Sequence, residues 1–126
     1  MQISEHKPGN HHSIRQVTED SVLIDDRRYE SSLIVGARLL EPDWPVHSLE
    51  DLDAAALAPL LDREPELVIL GFGTRQAFPA PEVQKEFLTR GIGVECMTLG
   101  AACRTFNVLM SENRRALAGL ILPPRR

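Results

Sequence analysis

The residues best placed to do chemistry fall in two stretches of the second half of the chain. The first is Gly71-Phe72-Gly73-Thr74-Arg75-Gln76, directly after the apolar run Glu66-Leu67-Val68-Ile69-Leu70. Glycine lets a backbone turn and approach a ligand closely, and arginine offers a planar fork to a carboxylate or phosphate. Thr98 precedes a helical stretch, whose free N–H groups and positive dipole end would favour an anion in the same place. Gly71, Gly73, Thr74, Arg75 and Thr98 thus outline a crevice for a small anionic ligand. The alternative is a purely structural turn, because Gly-x-Gly without a third glycine and an immediate helix is not the dinucleotide fingerprint.

The second stretch holds Cys103, Arg104 and Asn107. A thiol in the second turn of a helix is open to activation through a lowered pKa. No histidine lies nearby in sequence to act as its base, and a buried cysteine behaves as a small inert hydrophobe. Arg104, Asn107 and Ser111 form a polar stripe beside the helix's apolar face. Metal chemistry finds little support. The histidines His6, His11, His12 and His47 all lie in the first half, and Cys96 and Cys103 are spaced C-x6-C rather than C-x2-C. The pairs Asp25-Asp26 and Glu50-Asp51 fall at a turn and a helix start, where acids are ordinary. No metal and no cofactor is expected.

The elements that position these residues follow from periodicity and punctuation. Residues 1–12 read as a flexible lead-in and 13–126 as one domain. Ile14–Thr18 and Val22–Ile24 flank Glu19-Asp20-Ser21, a hairpin signature; Asp25-Asp26-Arg27 then leads into a strand over Tyr29–Val35. Gly36 breaks that run, and Ala37–Glu41 extends an edge strand. Pro42 and Pro45 bar regular pairing around Trp44, whose expected place is the core. Leu49–Leu61 reads as a helix with Ser48 at its start and a kink or restart at Pro59. Glu66–Leu70 reads as a strand buried on both faces and ending at Gly71. Pro81–Arg90 is a helix with proline in its first turn and Gly91 beyond its end. Gly93–Met97 is a strand, Leu99–Glu112 a helix, and Ala116–Leu122 a closing strand. Leu99, Ala102, Cys103, Phe106, Leu109 and Met110 share the face of that last helix turned to the core. The predicted fold is α/β: a mixed sheet with an antiparallel β-rich N-terminal half and a parallel βαβαβ C-terminal half, helices packed on the sheet.

Composition narrows the class. With 43% hydrophobic and 25% charged residues, the 126-residue chain can bury a core of its own. Its formal net charge of −4 is the wrong sign for a nucleic-acid binder. Arg114, Arg115, Arg125 and Arg126 form a small basic cluster, read as solvated surface. The longest strongly apolar stretch, Leu67–Leu70, is far short of the roughly 20 residues of a membrane-spanning helix. Without a signal-peptide pattern the expected compartment is the cytoplasm.

Several strings are familiar together: Leu67 through Gln76 with Phe78-Pro79, Gly91-Ile92-Gly93-Val94-Glu95, and Ala101 through Leu109 followed by Ser111-Glu112 and Arg114-Arg115. With Trp44-Pro45 they resemble the Mth-type domain family, small proteins of unknown function similar to a mitochondrial assembly factor for respiratory complex I and to an adipogenesis-associated protein. The resemblance runs from about Ser13 to Leu122. It implies a compact α/β fold with a β-rich N-terminal part, and it supplies no catalytic residue. It does single out Gly71, Gly73, Arg75, Cys103, Arg104 and Asn107 as a candidate surface. Many relatives carry Asp-Thr at the entry to the last helix, where this chain has Thr98-Leu99.

Two functional expectations follow. One is a protein-interaction or assembly factor with a protein partner, by analogy with the family's mitochondrial relatives. The other is a binder of a small anionic ligand, or an enzyme of unknown reaction, working in the Gly71–Arg75 crevice.

Overall fold

A computed structural model describes residues 11–124. The N-terminal strands β1 (Ile14–Val17), β2 (Val22–Ile24) and β3 (Arg27–Tyr29) form a three-stranded antiparallel sheet. Its turns fall at the two expected polar corners, with Asp25 at φ 57° in the second. Aspartate tolerates that left-handed conformation better than most residues. Of the expected lead-in, residues 1–10 lie outside the described residues. His12 is tied down: its N–H donates to the Ala37 carbonyl (2.9 Å) and its Nδ1 lies 2.7 Å from Asp25 Oδ2.

The run Tyr29–Val35 is divided rather than continuous. After β3 the chain leaves the first sheet, and β4 (Leu33–Val35) joins a second one. The cause is Ser32, which is fully buried between them. Its hydroxyl donates to the Val46 carbonyl and accepts from Leu122 N–H (2.8 Å), while its carbonyl accepts from Trp44 N–H (2.9 Å). A serine satisfied in this way clips three distant segments together, and the strand cannot pair straight through it.

The second sheet has the order β5-β4-β8-β6-β7, where β5 is Leu40–Glu41, β6 Leu67–Phe72, β7 Gly93–Met97 and β8 Ala116–Ile121. β4 runs antiparallel to β5 and β8; β6 runs parallel to both β7 and β8. The mixed α/β architecture read from the sequence holds, with its β-rich antiparallel start and parallel βαβαβ end. β7 and β8 lie on opposite sides of β6. Right-handed crossovers therefore place α2 (Pro81–Leu88), which links β6 to β7, and α3 (Leu99–Ser111), which links β7 to β8, on opposite faces. The two cores agree. Val68, Leu70, Leu117 and Ile121 pack with α1 (Ala54–Leu61), α2 and Trp44 on one face. Ile69, Ala118 and Leu120 pack with α3 and with Ile14, Val22 and Ile24 of the first sheet on the other.

The first helix differs from expectation at its start. Ser48 makes no side-chain cap and precedes only a 3-10 turn over Leu49–Asp51. The α-helix starts after Asp53, whose carboxylate accepts from Ala56 N–H at 2.9 Å. The restart thus comes before Pro59, and α1 runs through the proline. The carbonyl that Pro59 leaves without its helical donor belongs to Ala55, on the exposed side of the helix, where it is open to solvent. Trp44 is 4% exposed, with its indole N–H on the Ala56 carbonyl at 3.0 Å, a core residue as expected.

Candidate functional site

The strands β6 and β7 are neighbours whose C-terminal connections leave toward opposite faces, the arrangement at which open α/β sheets hold ligands. What the sequence places at this corner divides into buried and free groups. Gly71 does not end its strand; it lies inside β6, buried. A Cβ there would stand 2.5 Å from the Ala102 Cβ, so the missing side chain lets α3 lie close on the sheet. Gly73 makes the actual turn, at φ 65° with nothing within 4 Å of where a Cβ would be. Its carbonyl accepts from Leu99 N–H at 2.9 Å.

That last bond closes part of the helix start. Thr98 caps α3, its hydroxyl accepting from Ala101 N–H (3.3 Å) and its carbonyl from Ala102 N–H (2.8 Å). The donors of Leu99 and Ala101, expected to be free for an anion, are already engaged. Thr74 and Arg75 are exposed on the loop, and Arg75 has no hydrogen-bond or ion-pair partner among the described residues. Gln76 reaches across to the Cys96 carbonyl (3.2 Å). Beyond it Phe78 stands 67% exposed.

The α3 residues turn away from that corner. Cys103 is 3% exposed inside the core, and burial pushes its thiol up to about 12, against a smaller opposing pull from the Arg104 charge. Such a thiol stays protonated and is no nucleophile at neutral pH. Asn107 serves the fold: its Oδ1 accepts from Ile14 N–H (3.0 Å) and its Nδ2 donates to the Ile14 carbonyl (2.8 Å). One side-chain amide thus stands in for a neighbouring strand and fastens the first sheet to α3. Arg104 is exposed on the outer side of α3. The structure therefore brings together Gly73, Thr74, Arg75 and Thr98, and sets Gly71, Cys103 and Asn107 to packing.

Two hollows escaped the sequence. One, of about 760 Å³, opens at the other end of the parallel strands and is lined by Arg38, Arg63, Arg114 and Arg115 over Met110 and Leu117. Most of its charge is committed: Arg63 meets Glu41 (3.1 Å), Arg114 meets Glu66 (3.0 Å), and Arg115 donates to the Glu64 carbonyl (2.7 Å). Arg63, Arg114 and Arg115 each follow a helix C-terminus, where cations complement the dipole. The visible signal was the pair Arg114-Arg115; nothing local joins it to Arg38 or Arg63. The second hollow, about 280 Å³, lies between Phe78, Pro79, Gln84 and the β7 residues Val94 and Cys96. Among the described residues no group of His, Cys, Asp and Glu is placed to hold a metal ion, and no helix is long and apolar enough to cross a membrane.

Comparison with known proteins covers nearly the whole chain. A family model described as "Protein of unknown function (DUF498/DUF598)" matches residues 14–121. The zebrafish (Danio rerio) protein named NADH dehydrogenase [ubiquinone] 1 alpha subcomplex assembly factor 3 is 42% identical over 83 residues, 64% of this chain and 48% of that protein. The chain thus spans about half the length of that relative. A Xanthomonas campestris protein solved by NMR superposes with a TM-score of 0.82 at 36% identity, covering 97% of this chain and 92% of that one. A Bordetella pertussis protein described as a Mth938-like domain gives 0.78 at 25% identity, covering 98% and 92%.

Proposed function

The chain belongs to the DUF498/DUF598 family, with the Mth-type fold and homologues among complex I assembly factors, and from that premise we propose that it acts as an assembly factor, binding protein partners rather than turning over a substrate. The observation that carries this reading is the likeness to the zebrafish assembly factor. The geometry is in keeping with it. The thiol and the amide with the strongest claim to chemistry are committed to packing, whereas Arg75 and Phe78 stand unused on the loop. An exposed aromatic beside an arginine is the composition of a contact surface. By the same analogy the client is a respiratory NADH dehydrogenase.

The test is deletion of the gene in its own host. NADH:quinone oxidoreductase activity of isolated membranes is expected to fall severalfold, with unassembled subunits accumulating on native gels. Activity and assembly equal to the parent strain overturn the reading.

A second reading has one observation in its favour: Arg75, on the loop turned by Gly73, has no hydrogen-bond or ion-pair partner among the described residues. It is a small-anion site at Gly73, Thr74, Arg75 and Thr98. Phosphate at about a hundred times its dissociation constant would stabilise the fold by roughly 2.7 kcal/mol. A stabilisation that survives Arg75→Ala removes this site.

A further inference from the structure

Among the described residues β7 is the last strand of its sheet, paired only with β6. Within a strand the N–H and C=O of one residue point to the same side, and successive residues alternate sides. Gly93 N–H donates to the Glu66 carbonyl (3.2 Å), toward β6. Gly93, Glu95 and Met97 therefore bond inward, and Val94 and Cys96 present their backbone groups to the open edge. The Gln76 amide on the Cys96 carbonyl confirms the phase. That side chain covers one acceptor and leaves the Val94 N–H, the Val94 carbonyl and the Cys96 N–H without partners among the described residues.

The two faces of this edge differ. On the α2 face Val94 and Cys96 are half-buried beside the hollow of about 280 Å³, walled by Phe78 and Pro79. An extended segment laid along the edge would send the side chains opposite Val94 and Cys96 into that hollow, against Phe78 and Pro79 and within reach of the Gln76 and Gln84 amides. On the other face Glu95 is exposed and has no ion-pair partner among the described residues. A cation directly opposite it would be favourable and a carboxylate unfavourable.

The charge selects the occupant. A second copy of this chain could pair β7 with β7 about a twofold axis. The register that overlaps the whole strand sets Glu95 against Glu95 of that copy, and every other twofold register shortens the pairing. We infer that the β7 edge receives an extended strand from a different protein, alternating apolar side chains toward Phe78 with a lysine or arginine opposite Glu95. This rests on the assembly-factor reading for its biological setting and gives that reading its docking site. The Gln76 amide is the removable cover of an edge that would otherwise invite indiscriminate pairing.

The probe is a short blocked peptide alternating valine with lysine, compared with the same peptide carrying glutamate for lysine. Hydrogen exchange is followed by NMR on the intact chain. Saturating lysine peptide is expected to slow exchange of the Val94 and Cys96 amides by about tenfold or more, and the glutamate peptide is expected to leave them unchanged. Glu95→Lys is expected to reverse the preference. Val94→Pro, which takes away an outward N–H and leaves the inward ones of Gly93 and Glu95, is expected to abolish protection of the Cys96 amide while β6 pairing persists. Unchanged exchange at Val94 and Cys96 with the lysine peptide, or a preference unaltered by Glu95→Lys, overturns the proposal. Complementation of the deletion strain separates the two ideas: a deletion phenotype fully rescued by Glu95→Lys sinks the edge site and leaves the assembly role, whereas a deletion without phenotype sinks the role itself.

Discussion

Helix α3 and the loop over residues 73–80 meet at one corner and carry similar residue types, yet they use them in opposite ways. α3 has a cysteine, an amide and an arginine at helical spacing. Its cysteine is sealed in the core, and its amide holds the backbone of β1. The loop has an arginine without a hydrogen-bond or ion-pair partner among the described residues and a phenylalanine that is 67% exposed. The difference follows from what each must support. α3 lies between two sheets, so its polar groups on the packed side must find partners within the protein. The loop only joins β6 to α2 and has no second sheet to hold. Residue type alone therefore says less about function than whether the fold has already used the group.

The largest effect that would sharpen this contrast is on the inward side of α3. Phe106 is fully buried between the sheets, and Phe106→Ala should cost about 3–5 kcal/mol in urea unfolding, the usual range for such a cavity. A loss below 1 kcal/mol would mean that α3 is not the pillar its position suggests. Asn107→Ala comes next. It strips partners from the Ile14 N–H and carbonyl and should cost about 1–3 kcal/mol. Faster hydrogen exchange at Ile14 would identify the broken clamp, and unchanged exchange there would contradict it.

These two positions also show what was legible in the sequence. The six inward residues of α3 follow from the helical period alone, and the structure buries each of them. The strand read over Glu66–Leu70, which the structure has as Leu67–Phe72, and the strand Gly93–Met97 were readable from apolar runs between turn residues. Asn107 was visible as a polar position, but its partner lies 93 residues away, and no local pattern encodes that distance. Ser32 was hidden for the same reason, since Val46 and Leu122 make its bonds. Gly71 looked like the end of a strand. Its actual reason, the closeness of Ala102, exists only after α3 has packed. At the candidate site, the turn at Gly73 and the free Arg75 were legible; the closure of the helix start by the Gly73 carbonyl was not.

Cys103 offers a pH test of the sealed side. Its thiol is raised from 9.0 in the unfolded chain to about 12 in the fold. Below pH 9 both states are protonated and the thiol contributes no pH dependence. As pH rises from 9 toward 12 the unfolded thiol ionises while the folded one keeps its proton, so stability is lost at up to about 1.4 kcal/mol per pH unit. Cys103→Ala should flatten that part of the stability–pH curve relative to wild type. Cys96, half-buried and raised by burial alone, should be alkylated by iodoacetamide well before Cys103. Equal rates would show that α3 opens far more readily than its packing implies.

The smallest stability change is expected where the functional change is largest. Phe78→Ser removes a side chain that is mostly in solvent, so the unfolding free energy from urea titration should change by no more than about 0.5 kcal/mol. Reintroduced into the deletion strain, the same variant should fail to restore NADH:quinone oxidoreductase activity, because the aromatic wall beside Val94 and Cys96 is gone. A destabilisation of several kcal/mol would make Phe78 part of the architecture and erase the distinction between loop and helix. Full rescue by a stable Phe78→Ser protein would leave the loop exposed but idle, and the docking surface would have to be sought elsewhere.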